Sequence, residues 1–333
     1  MKKKILVIGT GGTIASVSAD EGLKPRADVS ELLTCVPEVK EFCKLDMIQA
    51  MSIDSTNMMP ANWKVLVKII EQQYDVYDGF LILHGTDTMA YTASALSYMI
   101  QNSEKPIVLT GSQRPMEENR TDAKENIYQS IRYLVHKDAF GVNIVFAGKV
   151  IPGTRARKYK SHSLDAFECV SVPCRAEFHD KKLLIYETKP DKEYATHFYY
   201  ELEERILLWK IIPGMSSEWL LKLSEEFEAV VIEGFGLGGI PDVDRCAYFH
   251  VLESLVKRGK VIVVTTQVSY EGTDMSVYEV GKKYKTKLDV LEGSYMTTEA
   301  IVTKLMWLLG MTKERQEIKR RFVETINKDL VEF

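Results

Sequence analysis

The chain has 333 residues, 45% hydrophobic and 27% charged, with a net charge of −4. That is enough apolar material for two buried cores, at about 150 residues per domain, and it lacks the basic excess that nucleic-acid binding requires. No run approaches the ~20 apolar residues of a membrane span, and the apolar run 5–8 behind the lysines at 2–4 is too short for a signal peptide, so a cytoplasmic protein is expected.

In chain order, short runs rich in Val, Ile and Leu alternate with longer segments of helical periodicity. The runs 5–8, 80–83, 107–109 and 144–146 read as strands, with helices expected over 62–73, 88–101 and 122–136. Continuous rather than alternating apolar runs suit strands buried on both faces, as in a parallel sheet flanked by helices. A charged stretch carrying Pro190 then separates the strand-like 183–186 from 206–212. Beyond it the rhythm resumes, with strands at 230–232 and 261–264 and helices over 246–258 and 297–309. The chain thus reads as a two-domain α/β protein. A larger N-terminal parallel-sheet domain (1–187) carries the chemistry, 188–204 is a linker, and 205–333 is a smaller C-terminal α/β domain.

In parallel α/β sheets ligands bind beyond the carboxyl ends of the strands. The residues there are Gly9-Thr10-Gly11-Gly12-Thr13, His84-Gly85-Thr86-Asp87-Thr88 and Thr110-Gly111-Ser112-Gln113. Glycines admit close backbone approach. Hydroxyls supply nucleophiles and hydrogen bonds, and free amides at helix N-termini hold a carboxylate or an oxyanion. The same hydroxyls also serve as ordinary helix caps; their recurrence at three strand ends favours a site. The dinucleotide fingerprint fails because Ile14 stands where its third glycine belongs, and no phosphate-binding G-x-x-x-x-G-K-[ST] is present. The five cysteines and six histidines show no metal-ligand spacing, so neither metal nor cofactor is expected, and the cysteines read as reduced thiols. A neutral threonine hydroxyl needs a base or a proton relay. His84 is one candidate, with Asp, Lys, Tyr or a second Thr as others.

Gly11-Gly12-Thr13-Ile14 and His84-Gly85-Thr86-Asp87-Thr88-Met89 together resemble the two threonine signatures of the bacterial-type asparaginases. Residues 90–96 (AYTASAL) continue the likeness to the intracellular, type I branch. It runs on through Asp54-Ser55-Thr56-Asn57-Met58, residues 110–113, residues 153–158 (GTRARK), residues 233–236 and residues 296–300, covering nearly the whole chain in order. The resemblance implies a cofactor-free, two-domain amidohydrolase, a homo-oligomer built as a dimer of dimers, that converts L-asparagine to L-aspartate and ammonia. It puts the nucleophile at Thr13 and an assisting group at Thr86, Asp87 and Lys158. Asp87, Asp54, Ser55 and Thr56 would grip the substrate's α-amino and α-carboxyl ends, beside Gly12, Gly85 and Ser112. Two departures stand out: Leu23 occupies the place of a loop tyrosine, and Gly239 replaces the asparagine of a Gly-x-Gly-Asn motif. Tyr278, in a Tyr-x-x-Gly context, is the candidate to replace the missing tyrosine. Two rival readings share the fold: an ammonia-donating amidase domain of a tRNA-dependent amidotransferase, and an amino-acid sensor.

Overall fold

A computed structural model describes residues 2–12, 14, 16–19, 22–25, 34–191 and 194–331, with the backbone alone at 16–19, 22–25 and 280. The expected nucleophile, Thr13, lies outside the described residues. The chain forms two compact units, Met1–Tyr200 and Glu201–Phe333.

The first unit is organised by an eight-stranded sheet. Its strands are β1 (Lys4–Gly11), β2 (Lys44–Ile53), β3 (Gly79–Leu83), β4 (Ile107–Thr110), β5 (Val142–Phe146), β6 (Lys149–Pro152), β7 (Ala176–His179) and β8 (Lys182–Ile185). Across the sheet they run β8-β7-β6-β5-β4-β3-β1-β2. From β2 to β5 the pairing is parallel, and β3, β4 and β5 are buried along their whole length, which is why their sequences are mostly apolar, with Thr110 and Asn143 as buried polar exceptions.

The sheet is not parallel throughout, as the sequence led us to expect. Strands β6 to β8 add an antiparallel edge. The change of direction is local chemistry: Ala147 and Gly148, both at positive φ (47° and 83°), close a two-residue hairpin between β5 and β6.

Helices α1 (Pro60–Gln73), α2 (Met89–Met99) and α3 (Ala123–Leu134) follow β2, β3 and β4. Pro60 starts α1, where its missing N–H costs nothing, and Trp63, Leu66, Val67 and Ile70 form its buried stripe. Nearly every side chain of α2 is buried, so small Ala, Ser and Thr residues let it fit between its neighbours. Each fully buried Leu or Ile of this core stabilises the fold by roughly 1.5–3 kcal/mol.

The stretch expected to be a linker is partly built into this unit. His197–Phe198 pairs antiparallel with Ile100–Gln101, and the Thr196 and Tyr74 hydroxyls are 3.1 Å apart. The Phe198 ring meets Tyr74 edge-on, and Tyr200 donates to Glu71.

The second unit has a four-stranded parallel sheet in sequential order: β9 (Ile206–Lys210), β10 (Ala229–Gly234), β11 (Val261–Thr266) and β12 (Leu291–Glu292). Its helices are α4 (Ser217–Leu223), α5 (Tyr248–Lys257), α6 (Glu279–Lys287), α7 (Thr298–Met311) and α8 (Arg315–Phe322). The C-terminal segment is fastened by Lys304 of α7, wholly buried, which donates to Asp329 and to the Glu324 carbonyl, each at 2.7 Å. Among the described residues no helix is long and apolar enough to cross a membrane.

Candidate active site

Strand order β2-β1-β3-β4-β5 reverses between β1 and β3, and crevices beyond such reversals are where open α/β sheets hold ligands. The two loops that flank this reversal are tied together. Thr10 donates to the Leu83 carbonyl at 2.9 Å, and Gly12 donates to the Ile53 carbonyl at 3.1 Å. Gly12 has φ +82°, and a Cβ there would lie 2.3 Å from the Gly85 Cα, so both loops need glycine at their point of contact. A Cβ on Gly85 would itself meet the Ser55 hydroxyl at 2.6 Å.

Ser55 is the hub of the third segment. Its side chain is buried, its hydroxyl accepts from the Asp87 N–H at 3.3 Å, and its carbonyl accepts from the Thr88 hydroxyl at 2.7 Å. Asp54 and Thr56 are exposed. The Asp54 carboxylate accepts from the Thr56 N–H (2.9 Å) and hydroxyl (3.0 Å), capping the turn that presents Ser55.

Lys158 reaches this cluster from a distant part of the chain. It ends the short strand Ala156–Lys158, which pairs antiparallel with Phe167–Cys169. Its Nζ donates to Thr86 Oγ1 at 2.8 Å and to Asp87 Oδ1 at 2.5 Å. The Lys158 side chain is 18% exposed and that of Asp87 53%, so the pair is open to solvent on the Asp87 side. Thr86 is buried and donates its own proton to Gln113 Oε1 at 3.1 Å. The Thr86 hydroxyl is therefore held between an ammonium donor and an amide acceptor.

Gln113 was not singled out in the sequence; the hydroxyl of neighbouring Ser112 drew attention instead. Ser112 is wholly buried and donates to the Arg114 carbonyl at 2.5 Å. Gln113 is aimed by Asp122, whose carboxylate accepts from the N–H groups of Gln113 (3.0 Å) and Arg114 (3.1 Å) and from the Asn126 amide (3.2 Å). His84 is also misplaced for a surface base. Its ring is completely buried, and burial pushes its pKa down to about 4.

Tyr278 belongs to the second unit, 65% exposed at the N-cap of α6, beside an apolar hollow lined by Phe235, Leu237, Ile240 and Met275. At Leu23 the backbone pairs with Ser18. Gly239 closes a tight turn on Phe235, each accepting from the other's N–H. Among the described residues no group of three His, Cys, Asp or Glu side chains is arranged to hold a metal ion.

The chain matches known proteins along almost its whole length. The family model described as "Asparaginase, N-terminal" covers residues 4–191, and that described as "Glutaminase/Asparaginase C-terminal domain" covers residues 205–322. The L-asparaginase of Thermococcus kodakarensis is 36% identical over 95% of this chain and 96% of its own. A solved structure, the thermostable L-asparaginase from that organism, superimposes with a TM-score of 0.93 at 34% identity, covering 99% of this chain and 100% of that one. L-asparaginase 1 of Escherichia coli K12 is 32% identical over 99% of this chain and 98% of its own. A glutamyl-tRNA(Gln) amidotransferase polypeptide of Aeropyrum pernix is 32% identical over 96% of this chain but 78% of its own. With Thr86, Asp87 and Lys158 in contact at the sheet's reversal point and both family models spanning the fold, the chain belongs to the asparaginase family.

Proposed function

We propose that this protein hydrolyses the side-chain amide of L-asparagine to L-aspartate and ammonia, and that residues 1–187 carry the reaction. The observation that supports this most is the contact of Lys158 Nζ with both Thr86 Oγ1 and Asp87 Oδ1, 2.8 and 2.5 Å away.

Thr13 is the nucleophile in this reading. Its hydroxyl adds to the amide carbon, the tetrahedral intermediate collapses with loss of ammonia, and water opens the acyl-enzyme. Gly12, which precedes Thr13, packs on Gly85, which precedes Thr86, so the residues before both threonines meet. The proton lost by the Thr13 hydroxyl passes to Thr86 Oγ1 as Thr86 gives its own proton to the departing amide nitrogen, and the ammonium of Lys158 lowers the cost of the negative charge that builds on Thr86 Oγ1 during this exchange. Gln113 orients the same hydroxyl. Main-chain N–H groups next to Gly12 and Gly85 stabilise the developing oxyanion.

The ends of the substrate need opposite charges. The exposed Asp87 carboxylate holds the α-ammonium, and Ser55, in the turn capped by Asp54 and Thr56, holds the α-carboxylate. Tyr278 stands in for the absent loop tyrosine. Every step uses only side chains, main-chain N–H groups and water, with no metal or cofactor. We place the enzyme in the cytoplasm as a homo-oligomer, a dimer of dimers. The chain's five cysteines, two of them buried, are in keeping with a reducing compartment.

Ammonia release from L-asparagine and L-glutamine tests this reading. Asparagine is expected to have the higher kcat/KM, because an added methylene displaces the amide carbon from the nucleophile. Equal values, or ammonia from neither, would contradict it.

A further inference from the structure

We propose that His84 is a positioning residue of this site: its buried ring fixes the Gly85–Thr86 peptide and thereby aims the Thr86 N–H and hydroxyl. The inference rests on the amide-hydrolysis reading for its kinetic consequences, but its structural basis is separate.

The direction of each hydrogen bond around His84 is set by its partners. Nδ1 lies 2.6 Å from the Gly85 carbonyl, which can only accept, so Nδ1 carries the proton. With the ring enclosed and uncharged, Nε2 is bare and accepts from the Thr92 hydroxyl at 2.9 Å. Thr92 Oγ1 in turn accepts from the Trp63 indole N–H at 3.0 Å, and an indole nitrogen can only donate. The series runs one way, from Trp63 of α1 through Thr92 of α2 to His84 and on to Gly85. Thr92, Trp63 and His84 are all buried, so water does not compete for these bonds.

The far end of the series is the peptide that matters. Gly85 is already clamped by the backbone of Gly12 and the side chain of Ser55. In a trans peptide the Thr86 N–H points opposite the Gly85 carbonyl. Holding that carbonyl against His84 turns the Thr86 N–H to the other side, and among the described residues no acceptor takes it. The same peptide carries the Thr86 side chain to Lys158 and Gln113. His84 acts through Gly85 and touches no reacting atom. Such enclosure suits a base poorly and an orienting donor well, since a buried neutral imidazole keeps one tautomer across the working pH range.

The test compares His84→Asn, His84→Gln and His84→Phe with the parent enzyme in asparagine hydrolysis, alongside ¹⁵N NMR of the imidazole. The asparagine side chain returns an N–H near the Nδ1 position and is expected to keep kcat within about tenfold. Glutamine reaches only towards Thr92, and phenylalanine keeps the ring volume with neither nitrogen. Both are expected to lose about a hundredfold or more in kcat with KM little changed, the scale of losing one preorganised donor. A phenylalanine variant as active as the parent, or asparagine and phenylalanine variants equally impaired, would make His84 a space-filler and overturn the proposal. If His84→Phe does not fold, Thr92→Val, which keeps the shape and removes the hydroxyl from Nε2, is expected to lower kcat and shift the tautomer; no change in either overturns it. The NMR arm needs no turnover. The Nδ1–H tautomer is expected from pH 5 to 8, and an Nε2–H tautomer there contradicts the proposal. Should the parent release no ammonia, the amide-hydrolysis reading fails by itself. Positioning is then decided by the Thr86 backbone amide shift, which His84→Phe must perturb and His84→Asn restore.

Discussion

Lys158 donates to the Thr86 hydroxyl across 2.8 Å although 72 residues separate them in the chain. The contact depends on a three-residue strand, Ala156–Lys158, that its partner Phe167–Cys169 holds in place. If the contact is a proton relay, Lys158→Met is expected to cut kcat by about a hundredfold or more with a smaller change in KM. Thr86→Val is expected to do the same, and the double variant to cost little beyond either single one, because the two act as a unit. Independent, multiplicative losses in steady-state kinetics would show that they act separately.

The glycine contact between the first two loops makes a prediction about stability. Alanine at Gly12 combines a positive φ with a clash against the Gly85 backbone, where nothing flexible can yield. Gly12→Ala is expected to destabilise by about 1–3 kcal/mol and to abolish most activity. Alanine at Gly259, also at positive φ but with nothing within 4 Å, carries the backbone strain without the clash and is expected to cost less. Urea unfolding of the two variants measures the difference.

Acid should weaken the fold through His84. Its pKa is about 4 in the native chain against an ordinary 6.5, so between these values the unfolded chain binds a proton that the native one does not. Stability from this group is complete above about pH 6.5 and falls as pH is lowered through the window, a loss reaching about 3 kcal/mol near pH 4. Asparagine does not titrate there. The stability difference between the parent and His84→Asn is therefore expected to move by about 2 kcal/mol in favour of the variant from pH 7.5 to pH 5. A difference that does not change with pH would mean that His84 takes up its proton as readily in the native chain as in the unfolded one.

If Tyr278 replaces the missing loop tyrosine, Tyr278→Phe is expected to lower kcat by about a hundredfold. The exposed position means that removing one oxygen should leave stability unchanged. Tyr295→Phe is the suitable control. Tyr248 is not, because its buried hydroxyl accepts from the Trp209 indole at 3.2 Å, and its loss is a structural injury. Equal kinetics for Tyr278→Phe and Tyr295→Phe would remove Tyr278 from the site.

Much of the fold was readable because strands enclosed on both faces write continuous apolar runs, as at 80–83, 107–109 and 144–146 in β3, β4 and β5. Strand β2 was not. It lies at the sheet edge, half exposed, and its Asp46 and Gln49 interrupt the pattern. The antiparallel edge hung on a two-residue turn at Ala147-Gly148 that no periodicity announces. Helices α6 and α8 are short and highly charged, with few apolar residues to mark a stripe. At the site, glycines and hydroxyls at strand ends pointed to the right loops, but not to which side chain turns inward. Ser112 folds back on Arg114 while Gln113 reaches Thr86. Lys158 on composition alone is one more cation in the basic stretch 155–160; only the motif resemblance singled it out, since a contact made across 72 residues leaves no trace in local spacing.

The central claim, threonine-dependent hydrolysis of asparagine, is tested most directly by measuring ammonia release from L-asparagine with the parent enzyme and with Thr13→Ala. If Thr13 is the nucleophile, removing it leaves the proposed substrate grip of Asp87 and Ser55 in place. The variant should fold, bind L-aspartate as the parent does, and turn over at least about a thousandfold more slowly, the order of loss when a catalytic unit is broken. A Thr13→Ala enzyme retaining more than about a tenth of the parent rate would show that the nucleophile lies elsewhere.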